Sequence, residues 1–539
     1  MRHAVARLDD LRSGAMKLVH ADGHRILLVR SAGGVHALDN ACPHQGYGLA
    51  QGDLNGQLLT CQWHNWKFRV DDGECMLGEE DVRTYPVTLE DGQVFVDIVD
   101  PTPDEQRARL LPSLRRGIAD DYSGQIARDV VRLLKASTNP AELVWEGIAW
   151  GAPRGEFGWG HSLAMASDCL RLTGCFDDDE RAFPIVQALA GIAEVEHLRS
   201  PRPQPSPVRA LPVNPRSMFR ALVEAQDQDG AEALMLGAID LGVSVDELRT
   251  WCIDVVCDHH LSFGHGAIYV QKAFELLERL GADRAATVLP HLVPAHVTGT
   301  REDLLPYMRP AMKAVNALDL DALAAAPDRR ETGWYDEGHR LGDALLAKGP
   351  TPIAAAATAV LDGAGIEGLL DTVVRTASER LLRHDPTVDF DPDHDFGWLD
   401  ITHVMTYARA ARWAWRIAPG PDTARLALFP VFMAHDSGRA EWRRREPPAP
   451  VDIGEAAAGA PGPNALLDSA AKNQAGSFIV AAHIVKTAVA AVDEAAGLDD
   501  RLPLAAAARF ASSPRLERFV TAGTAEAISF LRTGSSPPR

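Results

Sequence analysis

Two short segments hold the residues best suited to chemistry. Cys42-Pro-His44 is followed, after sixteen residues, by Cys61-Gln-Trp-His64. Thiolate is a soft ligand and neutral imidazole a harder one. Two of each suit a binuclear iron–sulfur centre in which one iron takes both sulfurs and the other both nitrogens. Cys2His2 sets also bind a single zinc, although a pair that opens Cys-x-His is unusual for that metal.

The flanking residues narrow the reading. CPHQGYGLAQG and CQWHNWKFRVDDG resemble the Rieske domains of bacterial ring-hydroxylating oxygenases and their ferredoxins, over residues 1–100. The resemblance implies a 2Fe–2S cluster held by Cys42, His44, Cys61 and His64. The loops lack the extra cysteine pair of high-potential respiratory relatives and offer Gln45, Gly46, Gln62 and Trp63 instead. It therefore also implies a lower potential within a range of roughly −150 to +300 mV.

A second set of histidines recurs in a pattern. EFGWGHSLAMASDCLRL, HLSFGHGAIYVQKAFELLERL and FGWLDITHVMTYARAARWAW each place an aromatic residue and Gly before His161, His265 or His403. An amphipathic helix follows each, and a further helix ends in a partner, His197, His296 or His435. FIVAAHIVKTAVAAV around His483 is a weaker fourth copy without a partner. Such near-repeats predict stacked helical hairpins. Each His alone reads as a local cap or packing residue. Together they read as a metal centre, because buried imidazole needs a partner and is a common metal ligand. The expectation is that His161, His265 and His403 converge, with His197, His296 and His435 completing the centre. His3 and His384 read as surface positions.

Carboxylates accompany them. Glu194 lies three residues before His197 and Asp400 three before His403, a spacing that shares one helix face. Asp436 follows His435. These pairs resemble in part the Glu-x-x-His ligands of di-iron carboxylate proteins. His403 with His435-Asp436 also resembles an HD-domain metal site. They read equally well as solvated helix charges. Asp254-Val-Val-Cys257-Asp258-His259-His260 with His265 resembles the mononuclear-iron motif of Rieske oxygenases, but Cys257 stands at the bridging position and the surrounding sequence lacks strands. GHGAIYVQKA and THVMTYARAA more nearly resemble the questin oxidase-like family of His-rich helical oxygenases, over parts of residues 120–500. That resemblance implies Baeyer–Villiger-type oxidation of aromatic polyketides as the class of chemistry.

The elements that must position these residues differ between the two ends. Period-2 apolar stretches at Met16–Val19, Arg25–Val29, Val35–Leu38, Leu58–Thr60 and Val94–Ile98 predict a small antiparallel β domain over 1–100. A linker at 101–104 follows. Residues 105–533, rich in Ala and Leu, predict a large, mostly α-helical domain, and 534–539 a loose tail. Ser200–Arg216, with six prolines, and Pro447–Pro463 read as surface loops. Trp145, Trp150, Phe157, Trp159, Phe263, Tyr269, Phe396, Trp398 and Tyr407 flank the repeated histidines and suit an aromatic-lined pocket or ordinary core.

Composition excludes other classes. A net charge of −20 disfavours nucleic acid and anionic membranes. No signal-like start and no uncharged apolar run of about 18 residues is present, so no membrane span is expected. Cys75, Cys169, Cys175, Cys252 and Cys257 show no disulfide spacing, which suits a reducing cytoplasm. Nucleotide-binding glycine motifs and Gly-x-Ser-x-Gly are absent.

Electrons must then come from a separate reductase or ferredoxin. The expected function is an oxygenase, a mono- or dioxygenase, that passes them through the 2Fe–2S cluster to non-haem iron, mono- or dinuclear. There dioxygen would oxidise a small organic substrate of aromatic or polyketide type. A homo-oligomer is compatible with this. The alternative is a redox carrier or sensor with a helical binding scaffold. A metal-dependent hydrolase is disfavoured by the fused electron-transfer domain.

Overall fold

The computed structural model describes residues 1–329, 340–390, 397–443 and 451–513. Phe396 and the 534–539 tail lie outside them. Contacts divide the chain into two units, Met1–Leu114 with Ala127–Ser137, and Arg115–Ile126 with Thr138–Arg539. A helix, Pro103–Ala119, starts within the 101–104 segment, and the unit division falls beyond its start.

The first unit is an antiparallel β domain. In chain order its strands are β1 (Arg2–Arg7), β2 (Met16–Ala21), β3 (His24–Ser31), β4 (Gly34–Asp39), β5 (Asp53–Asn55), β6 (Leu58–Thr60), β7 (Lys67–Arg69), β8 (Cys75–Leu77), β9 (Thr84–Tyr85), β10 (Val87–Glu90) and β11 (Gln93–Asp97). They form sheets ordered β1-β11-β10, β2-β3-β4-β9 and β5-β6-β7-β8. Asp22-Gly23 and Asp91-Gly92 turn the β2–β3 and β10–β11 hairpins with both φ positive, the geometry that suits strand twist. Strand alternation sends neighbouring residues of β3 into two cores. Leu27 and Val29 pack with Cys42, Cys61, Trp66 and Phe68. Ile26 and Leu28 pack with Tyr85, Val94 and Val96. The first core underlies the Cys and His loops.

The second unit is helical. Four of its helices, His161–Leu172, His265–Leu280, Trp398–Ile417 and Phe478–Leu498, form a closed ring in which each packs on the next and the last packs on the first. Their facing residues are apolar or small, such as Ala164, Ala273, Ala408 and Ala491, all buried, which lets the backbones approach. Ser200–Arg216 stays irregular as far as Pro215. Within Pro447–Pro463, expected to be loop, Ile453–Ala458 is a short helix. Asp452 caps it by accepting from the Glu455 amide at 2.9 Å, and Ala supplies the propensity. Among the described residues, one helical stretch, Ile353–Arg383, is long and apolar enough to cross a membrane, yet 67% of its apolar window is buried inside the protein. It packs on the Trp398 helix as a core element.

Candidate metal centres

Both N-terminal loops are built the same way. The Cys42 amide donates to the Tyr47 carbonyl and the Cys61 amide to the Trp66 carbonyl, each at 2.8 Å. The two cysteine carbonyls accept from Gly46 and Asn65 at 2.8 and 3.0 Å. Each loop closes through a positive φ four residues after the cysteine, 78° at Gly46 and 62° at Asn65, a region open to Gly and tolerated by Asn. The His44 and His64 rings meet edge to face with centroids 4.3 Å apart. His44 stacks on Trp66 at 4.7 Å and Trp63 on Tyr47 at 4.1 Å.

The donor set fits an iron–sulfur centre. Nδ1 of His44 is buried without a hydrogen-bond partner, a costly state that a metal bond removes. Burial, with the adjoining Cys61 sulfur adding to it, pushes the Cys42 thiol up to about 12. Thiols crowded into an apolar loop base ionise when a cation compensates them, and coordination deprotonates them outright.

Comparison with known proteins agrees. Residues 1–86 match the model of the Rieske 2Fe-2S domain. The ferredoxin component of an alkene monooxygenase system from Xanthobacter autotrophicus is 34% identical over 106 residues, which are 19% of this chain and 86% of that protein. The ferredoxin component of naphthalene 1,2-dioxygenase/salicylate 5-hydroxylase systems from a Ralstonia species is 33% identical, over 17% of this chain and 90% of its own length. This chain belongs to the Rieske family. Among solved structures, the ferredoxin of carbazole 1,9a-dioxygenase from Nocardioides aromaticivorans aligns at 26% identity, over 18% of this chain and 99% of that one, with a TM-score of 0.18. The Rieske match supports a 2Fe–2S cluster, and with it an electron-transfer role, over a zinc site.

The helical unit contains a second donor set. Ligand atoms of His161, His265, His403 and His483 all lie within 4.8 Å of one another. The Nε2 atoms are 3.1 Å apart for His161–His265, 2.9 Å for His265–His403 and 3.2 Å for His403–His483. Each comes from one helix of the ring. His161 and His265 open their helices, and His403 and His483 are sixth in theirs. The positive ends of all four helices therefore lie near the rings.

Proton counting shows what this set can hold. Nδ1 of His265 lies 2.5 Å from the Ser262 carbonyl and Nδ1 of His483 2.6 Å from the Ile479 carbonyl. A carbonyl only accepts, so both Nδ1 atoms carry the proton and both Nε2 atoms present lone pairs. Nε2 of His403 touches both of them. It can donate to one at most, and Lys486 Nζ, a donor, approaches it at 3.2 Å. With Lys486 donating, Nε2 of His403 is an acceptor too and presents its lone pair to those of both His265 and His483. A shared cation relieves that repulsion, and imidazole bonds of about 2.0–2.1 Å put neighbouring nitrogens about 3 Å apart. Burial, with Lys486 adding to it, holds His265 down to about 3 and His161, His403 and His483 well below the ordinary value. All four rings are neutral at neutral pH.

Below the rings lies a layer of buried charge. Asp168 and Lys272 stand seven residues after His161 and His265, on the same helix faces, and pair at 2.5 Å. Glu275 accepts from Arg409 at 2.6 Å, and Asp493 from Arg409 at 2.8 Å and Arg171 at 2.6 Å. These pairs tie the four helices in register. Burial pushes Lys486 down to about 7, against the pull of Asp168. A cavity of about 450 Å³ opens on His161 and His265, walled by Phe157, Tyr269, Phe478 and Glu196. The Tyr269 hydroxyl lies 3.4 Å from Nδ1 of His161.

The remaining expected ligands go elsewhere. His197 turns to the Ala193 carbonyl at 3.1 Å, and Glu194 is exposed. It is Glu196, one residue from His197 and about 100° around the helix, that faces Ser162 at 3.4 Å and the cavity. His296 is buried beneath the His265 helix, 3.4 Å from the Gly266 carbonyl. His435 packs on Trp442 at 4.8 Å. Asp436 pairs with Arg439 at 3.0 Å, and Asp400 accepts from the Gly397 amide at 3.0 Å, capping its own helix.

The Asp254–His265 motif also disperses. Asp254 and Asp258 pair with Arg216 and Arg220, Cys257 is buried, and His260 pairs with Glu302 at 2.9 Å. Of the flanking aromatics, Phe157, Trp159 and Tyr269 line the cavity and Phe263 stacks on His403 at 6.4 Å. Trp145 and Trp150 lie under Arg284 and Arg154. Trp398 packs tilted against His384, and Tyr407 stacks on His260. His483 was legible only as the faint fourth repeat. Asp168, Lys272 and Lys486 left one signal, charges placed at helical spacing on otherwise apolar faces.

Proposed function

We propose that this chain is a Rieske-dependent oxygenase whose non-haem iron is held by His161, His265, His403 and His483. The observation that carries the reading is the convergence of four neutral imidazoles, in which His265 and His483 present Nε2 lone pairs to Nε2 of His403. Iron bound there would supply the redox chemistry that activates dioxygen. The carbonyls of Ser262 and Ile479 and the hydroxyl of Tyr269 hold ring orientation, the role such outer partners play at metal sites. Lys486 holds a proton beside His403. Phe157, Tyr269 and Phe478 offer an apolar wall to a small organic substrate, of aromatic or polyketide type, and exclude water around it. The starts of the His161, His265 and Phe478 helices, which reach the cavity, favour an anionic group there.

A separate reductase or ferredoxin supplies electrons to the Rieske cluster. The ferredoxin components among the relatives, which belong to monooxygenase and dioxygenase systems, support that assignment at the level of class. Residues 1–100 act as the electron-transfer domain and 105–533 as the oxygenase domain in this reading.

Iron per chain tests it. An oxygenase holds the two irons of the cluster and at least one more. Cys61→Ser should abolish visible absorption while the other iron stays, and His403→Ala should do the reverse. If the wild-type protein contains only cluster iron under every loading condition, the chain is a carrier and the oxygenase reading fails.

A further inference from the structure

Arg128 lies on the helix Ser123–Lys135, beyond the residues 1–86 that match the Rieske model, yet it belongs to the same compact unit. Its Nη1 donates to the carbonyl of His44 at 3.3 Å. Its guanidinium carbon lies 5.8 Å from the centroid of the Trp66 ring. That ring stacks on His44, and the Trp66 carbonyl accepts from the Cys61 amide. One cation therefore touches the supports of both ligand loops.

Glu80 and Glu79 approach Arg128 at 3.3 and 3.4 Å, and Arg132 also binds Glu80. Asp129 lies 3.7 Å from Arg132 as well, so the two arginines face three carboxylates and placement, not net count, decides the field at the cluster. The group bonded to the ligand residue itself is Arg128. Its side chain is only 18% exposed, so salt and water screen it less than a surface charge.

We propose that Arg128 is a positioning residue that raises the reduction potential of the Rieske cluster, with Glu79 and Glu80 opposing it. Reduction by one electron from an external reductant adds one negative charge to the cluster. A cation and a donated hydrogen bond beside a ligand favour that state, because net charge, hydrogen bonding and exposure set such potentials. The assignment concerns the cluster alone and stands apart from the iron in the helical unit.

The test is a spectroelectrochemical titration of the full-length, cluster-loaded protein. Arg128→Gln should shift the midpoint to more negative potential, by about 59 mV for a tenfold change in the one-electron equilibrium. Glu79→Gln should shift it the other way. Arg128→Lys keeps the charge and should fall nearer the wild type than Arg128→Gln. An unmoved potential in Arg128→Gln, with the reduced-state paramagnetic signal intact, overturns the proposal. Should that variant fail to hold the cluster, Arg128→Lys and Glu79→Gln decide: an unmoved or more negative potential in Glu79→Gln overturns it equally.

Discussion

The Nε2 atoms of His403 and His483 stand 3.2 Å apart, while Nδ1 of His483 is already bonded to the Ile479 carbonyl. A ring with its proton committed on one side offers a lone pair on the other, and that lone pair points at a residue 80 positions earlier in the chain. His483 thereby joins three histidines whose repeated sequence setting it shares only weakly.

Replacing His483 with Ala should lower iron by the amount not bound in the Rieske cluster and leave the cluster's visible and paramagnetic spectra unchanged. Substrate oxidation should fall with it, by more than the roughly 10–100-fold expected when only an outer partner is lost. His197→Ala and His435→Ala should keep their iron. Full iron content in His483→Ala removes that residue from the centre.

Gly264 precedes His265 with φ 85°, and a Cβ there would stand 2.4 Å from the Tyr407 ring. Ser262 and Phe263 before it also have positive φ. Gly264→Ala should therefore cost about 1–3 kcal/mol in denaturant unfolding and displace His265 enough to weaken iron retention. Gly174→Ala, where a Cβ meets nothing within 4 Å, is the matched control. Equal stability of the two variants would refute the strained-turn account.

His259 bridges two acids, Asp303 at 2.8 Å on Nδ1 and Glu224 at 2.9 Å on Nε2. Burial alone would lower its pKa, but the two carboxylates outweigh it and raise the value above the ordinary one. The folded state thus binds the proton more tightly than the unfolded chain. The stabilisation is complete below the unfolded pKa of about 6.5 and is lost as pH rises through the folded value. The gap in thermal midpoint between wild type and His259→Gln should be widest in mildly acidic buffer and narrow toward alkaline pH. A gap independent of pH would exclude the ionic role.

Lys272 pairs with Asp168 inside the helix ring, both almost fully buried. Lys272→Met removes the direct partner of that carboxylate, leaving only the more distant Arg409 and Lys486, and should cost about 3 kcal/mol, whereas adding Asp168→Asn should recover part of the loss. Chemical denaturation of the single and double variants measures both. A single variant as stable as the wild type would mean that the pair does not hold the helices together.

The sequence by itself determined the Rieske domain. Its candidate ligands lie in two local loops whose cysteine, histidine and turn residues are held by contacts a few residues apart, so Cys42-Pro-His44-Gln-Gly46 and Cys61-Gln-Trp-His64-Asn65 carry their geometry in linear order. The period-2 strands, the helical character of the remainder and the special status of His161, His265 and His403 were legible as well. His384 read as a surface residue, yet it is buried against Trp398 and paired with Asp389, because the polar stretch around it lies over the start of a core helix.

Only the tertiary structure decided which histidines meet. Repeat position suggested His197, His296 and His435, but spacing fixes phase within one helix and says nothing about the neighbour each face will find. One residue of phase gave the cavity Glu196 and turned His197 away. The fourth ring came from His483, on the helix that closes the ring against His161. The buried network of Asp168, Lys272, Glu275, Arg409 and Asp493 was equally hidden. A charge on an apolar face is a cost until a partner from another helix neutralises it, and those partners lie up to several hundred residues away in the chain.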